Sequence, residues 1–130
     1  MQKLSVCMVV KDEAETLEAS ILSVKDVADE IVIGVDRACS DATPEIAAKY
    51  ASPGKLFDFD FDNNFAERRN EAIDRADADL IMILDGHEFV PPDDDPTARQ
   101  LARMRHIDPD DSNVLTPLSF LEQVREKGLP

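Results

Sequence analysis

Leu80-Ile81-Met82-Ile83-Leu84-Asp85-Gly86-His87-Glu88 decides how this chain reads. Five apolar residues in a row fit a buried strand. The strand then runs into a carboxylate, a glycine, an imidazole and a second carboxylate. Such a cluster makes a poor core and a good site for a divalent metal facing phosphate. Gly86 lets backbone approach a ligand closely.

Working outward, the same alternation of apolar runs and helical periodicity recurs upstream. Leu4 to Val10 is a β-branched apolar strand. Glu13 to Val24 carries Leu17, Ile21 and Val24 at helical spacing. Glu30 to Val35 is a second strand. Thr43-Pro44 opens a helix to about Tyr50, with Thr43 as cap and proline at the first helical position. Ser52-Pro53-Gly54 ends it, and Lys55 to Phe59 is a short third strand. Asn64 and Glu67 stand at capping-box spacing ahead of a helix through Ala76. The β-α-β-α-β-α-β order predicts an α/β fold: a mostly parallel, Rossmann-like sheet with helices on both faces. Residues 1–90 form that core. Residues 91–130 read as a short extension on the same domain. It holds an Asp93-Asp94-Asp95 loop, a helix from Asp95-Pro96 to about Arg105, a short strand over Asn113 to Thr116, and a last helix closed by Gly128.

Length and charge narrow the function. The 130 residues fit one domain. Hydrophobic residues at 43% and charged residues at 32% give a soluble, globular composition. A net charge of −14 argues against nucleic-acid binding through phosphate neutralisation. No apolar run approaches a membrane span, and Met1-Gln2-Lys3 leads straight into a strand rather than a signal peptide. Cys7 and Cys39 form no zinc spacing and read as reduced thiols of a cytoplasmic protein. The four glycines are too dispersed for a dinucleotide fingerprint or a P-loop. No GxSxG elbow supports nucleophilic catalysis.

Parallel sheets bind ligands beyond the carboxyl ends of their strands. Acids collect there: Asp12 and Glu13 after strand one, Asp36 after strand two, Asp60 and Asp62 after strand three, Asp85 and Glu88 after strand four. Side by side they raise one another's pKa; water, Arg37, Arg68 and Arg69 can offset part of this, and a metal more. Several have plainer readings. Asp12 and Glu13 also suit a helix N-terminus, Asp41 a loop turn, and Arg69 a surface pair with Glu67 or Glu71. His106 reads as a structural helix-end cation.

Four segments together resemble family 2 glycosyltransferases of the GT-A fold. They are Ser5 to Glu13, Val35 to Thr43, Asn64 to Asn70, and Ile83 to Glu88. The resemblance covers about Lys3 to Val90. It implies a nucleoside-diphosphate sugar at the carboxyl edge and transfer of the sugar to an acceptor hydroxyl of a glycan, lipid or protein. It places Asp12 and Glu13 beside the nucleoside and Asp36 against base or ribose. Asp41 and Thr43 fall in the loop that shapes that pocket, and Arg69 and Asn70 face the nucleotide or sugar. Asp85 matches the first acid of the family's Asp-x-Asp motif. His87 replaces the second, as in polypeptide N-acetylgalactosaminyltransferases, whose Asp-x-His binds manganese. Asp85 and His87 are thus the expected metal ligands, with Mn²⁺ preferred over Mg²⁺ because of the imidazole. No match for the family's downstream base is found, and Glu88 is not at the usual base position. The alternative is a nucleotide-sugar-binding module without the acceptor half. A receiver-like signalling domain would need a fifth strand with a lysine, which is not evident. An exposed sheet edge suggests a homodimer.

Overall fold

The computed structural model describes residues 2–92 and 117–128. The expected Asp93-Asp94-Asp95 loop, the helix to Arg105, the strand at Asn113 to Thr116 and His106 lie outside the described residues.

The strands are β1 (Leu4–Val10), β2 (Glu30–Asp36), β3 (Leu56–Phe59) and β4 (Leu80–Ile83). The helices are α1 (Leu17–Val24), α2 (Thr43–Tyr50), α3 (Phe65–Arg75) and α4 (Pro117–Lys127). The strands form one parallel sheet in the order β3-β2-β1-β4. Strand order reverses at β1, so β1 and β4 flank the crevice where such sheets take ligands. Register aligns the carboxyl ends of β1, β2 and β3, with Val10 opposite Val35 and Asp36 opposite Phe59, while β4 ends at Ile83 opposite Cys7, three residues before the end of β1.

Alternation along the strands sends side chains to two faces. On one, Leu4, Val6, Met8 and Val10 pack with Ile31, Ile33 and Val35 against Leu17, Ile21 and Val24 of α1. Val124 of α4 joins this core. On the other, Cys7, Val32, Phe57 and Phe59 pack against Ala72 of α3. Burial first, then Glu30, raises the Cys7 thiol to about 11, and both cysteines are free. Phe57 lies across Gly34, its neighbour in register, because glycine leaves the strand surface open there. Arg75 lies over the outer side of that ring, 4.3 Å from its centroid. Gly128 closes α4 with φ 82°. Arg125 of α4 pairs with Asp29 at 2.8 Å, and Asp29 accepts the Leu4 N–H at 2.8 Å. That ties α4 to the amino edge of the sheet, away from the carboxyl edge.

Three local expectations are corrected. The last strand is not buried throughout: Ile81 is 42% and Ile83 39% exposed. β4 is an outer strand, and α3 lies over β1 and β2, so alternate β4 residues on that face stay uncovered. α1 begins at Leu17, not Glu13, because Asp12 takes a left-handed φ of 48° that breaks the chain direction first. Thr43 does not cap α2: its N–H donates to Asp41 Oδ1 at 2.9 Å, and its own hydroxyl accepts the Glu13 N–H at 2.8 Å. Asn64 does cap α3, accepting the Glu67 N–H at 3.0 Å.

Candidate functional site at the carboxyl edge

The turn after β4 is built on α1. Thr16 Oγ1 donates to the Gly86 carbonyl at 2.7 Å. Ser20 Oγ lies 3.1 Å from the Asp85 carbonyl and also contacts the Glu88 carbonyl. The Asp85 N–H donates to Glu88 Oε1 at 2.9 Å, so the Glu88 carboxylate closes this turn. Asp85 and His87 are left pointing outward from a strapped loop.

His87 Nδ1 lies 3.2 Å from Glu13 Oε1, joining the loops after β4 and β1. The contact pushes the two pKa values in opposite directions. Glu13's bond and charge lift His87 above its ordinary value. Burial lifts Glu13 as well, outweighing the lowering effect of His87. The other Glu13 oxygen, Oε2, is buried and has no partner. It rests against Gly86, where a Cβ would overlap it and come within 3.0 Å of Val10 Cγ1. A Cβ at position 86 would therefore displace the Glu13 carboxylate, so glycine here serves this approach rather than its own φ.

Arg69 of α3 reaches Asp85 Oδ1 at 3.1 Å. Arg68 takes the acids that sequence spacing offered to Arg69: Glu67 at 3.1 Å and Glu71 at 2.9 Å. Arg37 pairs with Asp60 at 3.0 Å. The cations thus divide the acids among themselves.

Two adjoining cavities run along this edge. One, about 280 Å³, is lined by Lys11, Glu13, Asp36, Phe61 and Phe65 among others. The second, about 340 Å³, is lined by Val9, Glu13, Phe65, Arg69, Asp85 and His87. Asp36 is 2% exposed. Its Oδ1 accepts the Ala38 N–H at 2.8 Å, while Oδ2 is buried without a partner.

Five residues singled out from sequence line these cavities: Glu13, Asp36, Arg69, Asp85 and His87. Three do not. Asp12 is exposed and accepts the Ser40 N–H at 2.7 Å. Asp41 accepts the Ala14 N–H at 3.1 Å as well as Thr43, so it ties the β1 and β2 loops together. Hydrogen bonds from Thr43 come first in holding its carboxyl below the ordinary value. Asn70 is exposed on α3 and lines neither cavity. Cys39 joins Asp12 and Asp41 in a group whose ligand-type atoms lie within 4.8 Å of one another, beside these loop clamps. Lys11, Phe61 and Phe65 were not singled out from sequence. The alternation Phe59-Asp60-Phe61-Asp62 past the end of a strand was the available signal.

A parallel α/β sheet with an acidic cleft, an arginine and a histidine at its switch point belongs to the folds that bind ligands at the carboxyl edge. The comparisons narrow this. The family model "Glycosyl transferase family 2" matches residues 5–121. This chain belongs to that family, the one its strand-end motifs resemble. A TPR repeat-containing protein of Synechococcus elongatus is 41% identical over 88 residues, covering 68% of this chain and 21% of that protein. The crystal structure of S. aureus TarS 1–349 superposes with a TM-score of 0.51 at 18% identity, covering 80% of this chain and 33% of that one. The TarS likeness shows a shared fold. The chain therefore spans about a fifth and a third of the lengths of these two relatives. Among the described residues, no helix is long and apolar enough to cross a membrane.

Proposed function

We propose that this chain is the donor-binding part of a metal-assisted glycosyltransferase. It would hold a nucleoside-diphosphate sugar along the carboxyl edge, for transfer to a hydroxyl of a glycan, lipid or protein. The observation that carries the reading is the pair of adjoining cavities with different chemistry at each end. Asp36 offers a buried, unpartnered acceptor at one end. Arg69, Asp85 and His87 stand at the other. A nucleoside fits the first and a diphosphate the second.

Asp85 and His87 suit a divalent cation in kind, and the imidazole favours Mn²⁺ over Mg²⁺. A carboxylate on the far ring nitrogen is how ligand histidines are commonly oriented, and Glu13 stands there. A bound cation supplies charge neutralisation for a leaving diphosphate. Arg69 contributes a fixed positive charge to the same cavity, and its bond to Asp85 orients that carboxylate. Gly86 keeps the backbone low enough for Glu13 to reach His87. Asp12 and Asp41 act at one remove, by holding the β1 and β2 loops in place.

The second reading is a binding module without turnover. It is favoured by Glu88, whose carboxylate is committed to the turn and so is not free to serve as base. Calorimetric titration with Mn²⁺ and a panel of nucleoside diphosphates tests both readings. Metal-dependent binding of one diphosphate is expected, with binding lost or strongly weakened in His87→Ala. No nucleotide binding with Mn²⁺ or Mg²⁺ present would overturn both. Release of sugar from the matching donor separates the enzyme from the module.

A further inference from the structure

Phe61 and Phe65 have no place in the core. Phe61 is 37% and Phe65 58% exposed. Their rings lie 4.8 Å apart at 54°, an aromatic pair formed in the open between the end of β3 and the start of α3. Both line the cavity of Asp36, and only Phe65 reaches the cavity of Arg69 and Asp85. The buried side of α3 is Ala72, so Phe65 does not anchor that helix to the sheet.

We propose that Phe61 and Phe65 form the platform on which the nucleobase of the ligand lies. The inference rests on the nucleoside-diphosphate reading above and names the residues that would hold the base. Three observations favour a base over another occupant. The platform is aromatic, and a planar π-face stacks on it whatever its substituents. The neighbouring buried acceptor, Asp36 Oδ2, requires a donor on the ligand, and the edge of a base carries N–H groups. Two carboxylates, Asp36 and Glu13, line this cavity against one cation, Lys11, so the balance disfavours an anion and accepts a neutral ring. Phosphates are drawn instead to Arg69. Phe61, which lines only the Asp36 cavity, then belongs to the base alone. Phe65 stands between base and diphosphate.

The test is titration of Phe61→Ala, Phe65→Ala and Phe61→Leu against the preferred nucleoside diphosphate and against inorganic pyrophosphate, both with Mn²⁺. The leucine keeps apolar bulk and removes the stacking face. Both rings are exposed, so the variants should fold, and circular dichroism checks it. Each variant is expected to weaken the nucleoside diphosphate by about 5- to 100-fold. Pyrophosphate affinity is expected to stay unchanged. Parent-like nucleotide affinity in the folded alanine variants would overturn the platform while leaving the donor-site reading intact. Equal loss for pyrophosphate would also overturn it, because the pair would then be acting on the phosphate end. If the parent binds pyrophosphate but no nucleotide at all, the donor-site reading falls and takes the platform with it.

Discussion

Asp36→Asn separates binding from folding at a single atom. In the free protein the Ala38 N–H donates to Asp36 Oδ1, while Oδ2 is buried with no partner. Asparagine keeps an oxygen for Ala38 and puts an NH₂ where the unpartnered oxygen stood. A buried polar group left unsatisfied costs about 1–3 kcal/mol. The substitution trades one such group for another and removes a charge. Stability of the free protein should therefore stay within about 1 kcal/mol of the parent, or rise. Binding moves the other way. A ligand N–H that met the carboxylate now meets a second donor, forfeiting a charge-assisted hydrogen bond worth about 1.5–3 kcal/mol. At 1.4 kcal/mol per tenfold, that is roughly a 10- to 150-fold weaker Kd.

The size of the loss also reports which ligand group is met. A ribose hydroxyl can turn and accept from the amide, so only the charge assistance is lost and the effect is several-fold. A base N–H cannot. Asp36→Ala removes the acceptor in either case and weakens both. Calorimetry with the preferred nucleoside diphosphate gives Kd, and urea unfolding gives stability. Unchanged Kd in both variants, with a parent that binds, would refute the role given to Oδ2. A large loss of stability in Asp36→Asn would show that the carboxylate serves the fold instead.

Gly86→Ala should push the Glu13 carboxylate aside and deprive His87 of its partner, so the His87 pKa falls back toward its ordinary value. Histidine resonances followed through a pH titration read this directly, since the chain has two histidines, and an unmoved His87 would refute the pairing. Asp41 makes the β1–β2 loop clamp sensitive to acid. Its folded pKa lies below its ordinary 3.8, so its contribution is present above that value and is lost as pH falls through the folded pKa. Thermal unfolding from pH 5 to 2 should show a shallower decline in Asp41→Ala than in the parent, and parallel curves would refute the clamp. Gly34→Ala should cost about 1–3 kcal/mol in urea unfolding, because its Cβ overlaps the buried Phe57 ring. Phe57→Leu in the same chain should recover part of the loss, and a neutral Gly34→Ala would contradict the packing.

The sheet was legible because its strands are short apolar runs and parallel register leaves their ends on one edge. The edge itself was legible because acids cannot be spared for a core, so those at strand ends had to gather there. The pairings at that edge were not legible. Glu13 and His87 are 74 residues apart, and nothing local marks Glu13 rather than Asp12 as the one that turns inward. The left-handed Asp12 makes that choice, by turning the chain before α1 begins. Neighbouring Arg68 and Arg69 illustrate the same limit. One residue of helix rotation sends Arg68 along α3 to Glu67 and Glu71, and Arg69 across to Asp85. Exposure was not legible either. The apolar run of β4 suggested burial on both sides, yet apolarity does not say whether a helix reaches the outer strand. Phe61 and Phe65 drew no reading from the sequence, because a phenylalanine there carries no mark of where its ring will lie. What sets them apart is the loop that lifts them off the sheet beside Asp36 Oδ2, a buried carboxylate oxygen without a donor. An exposed aromatic pair and an unmet acceptor in one cavity are each unfavourable in the free protein. A single planar ligand with N–H groups on its edge would relieve both.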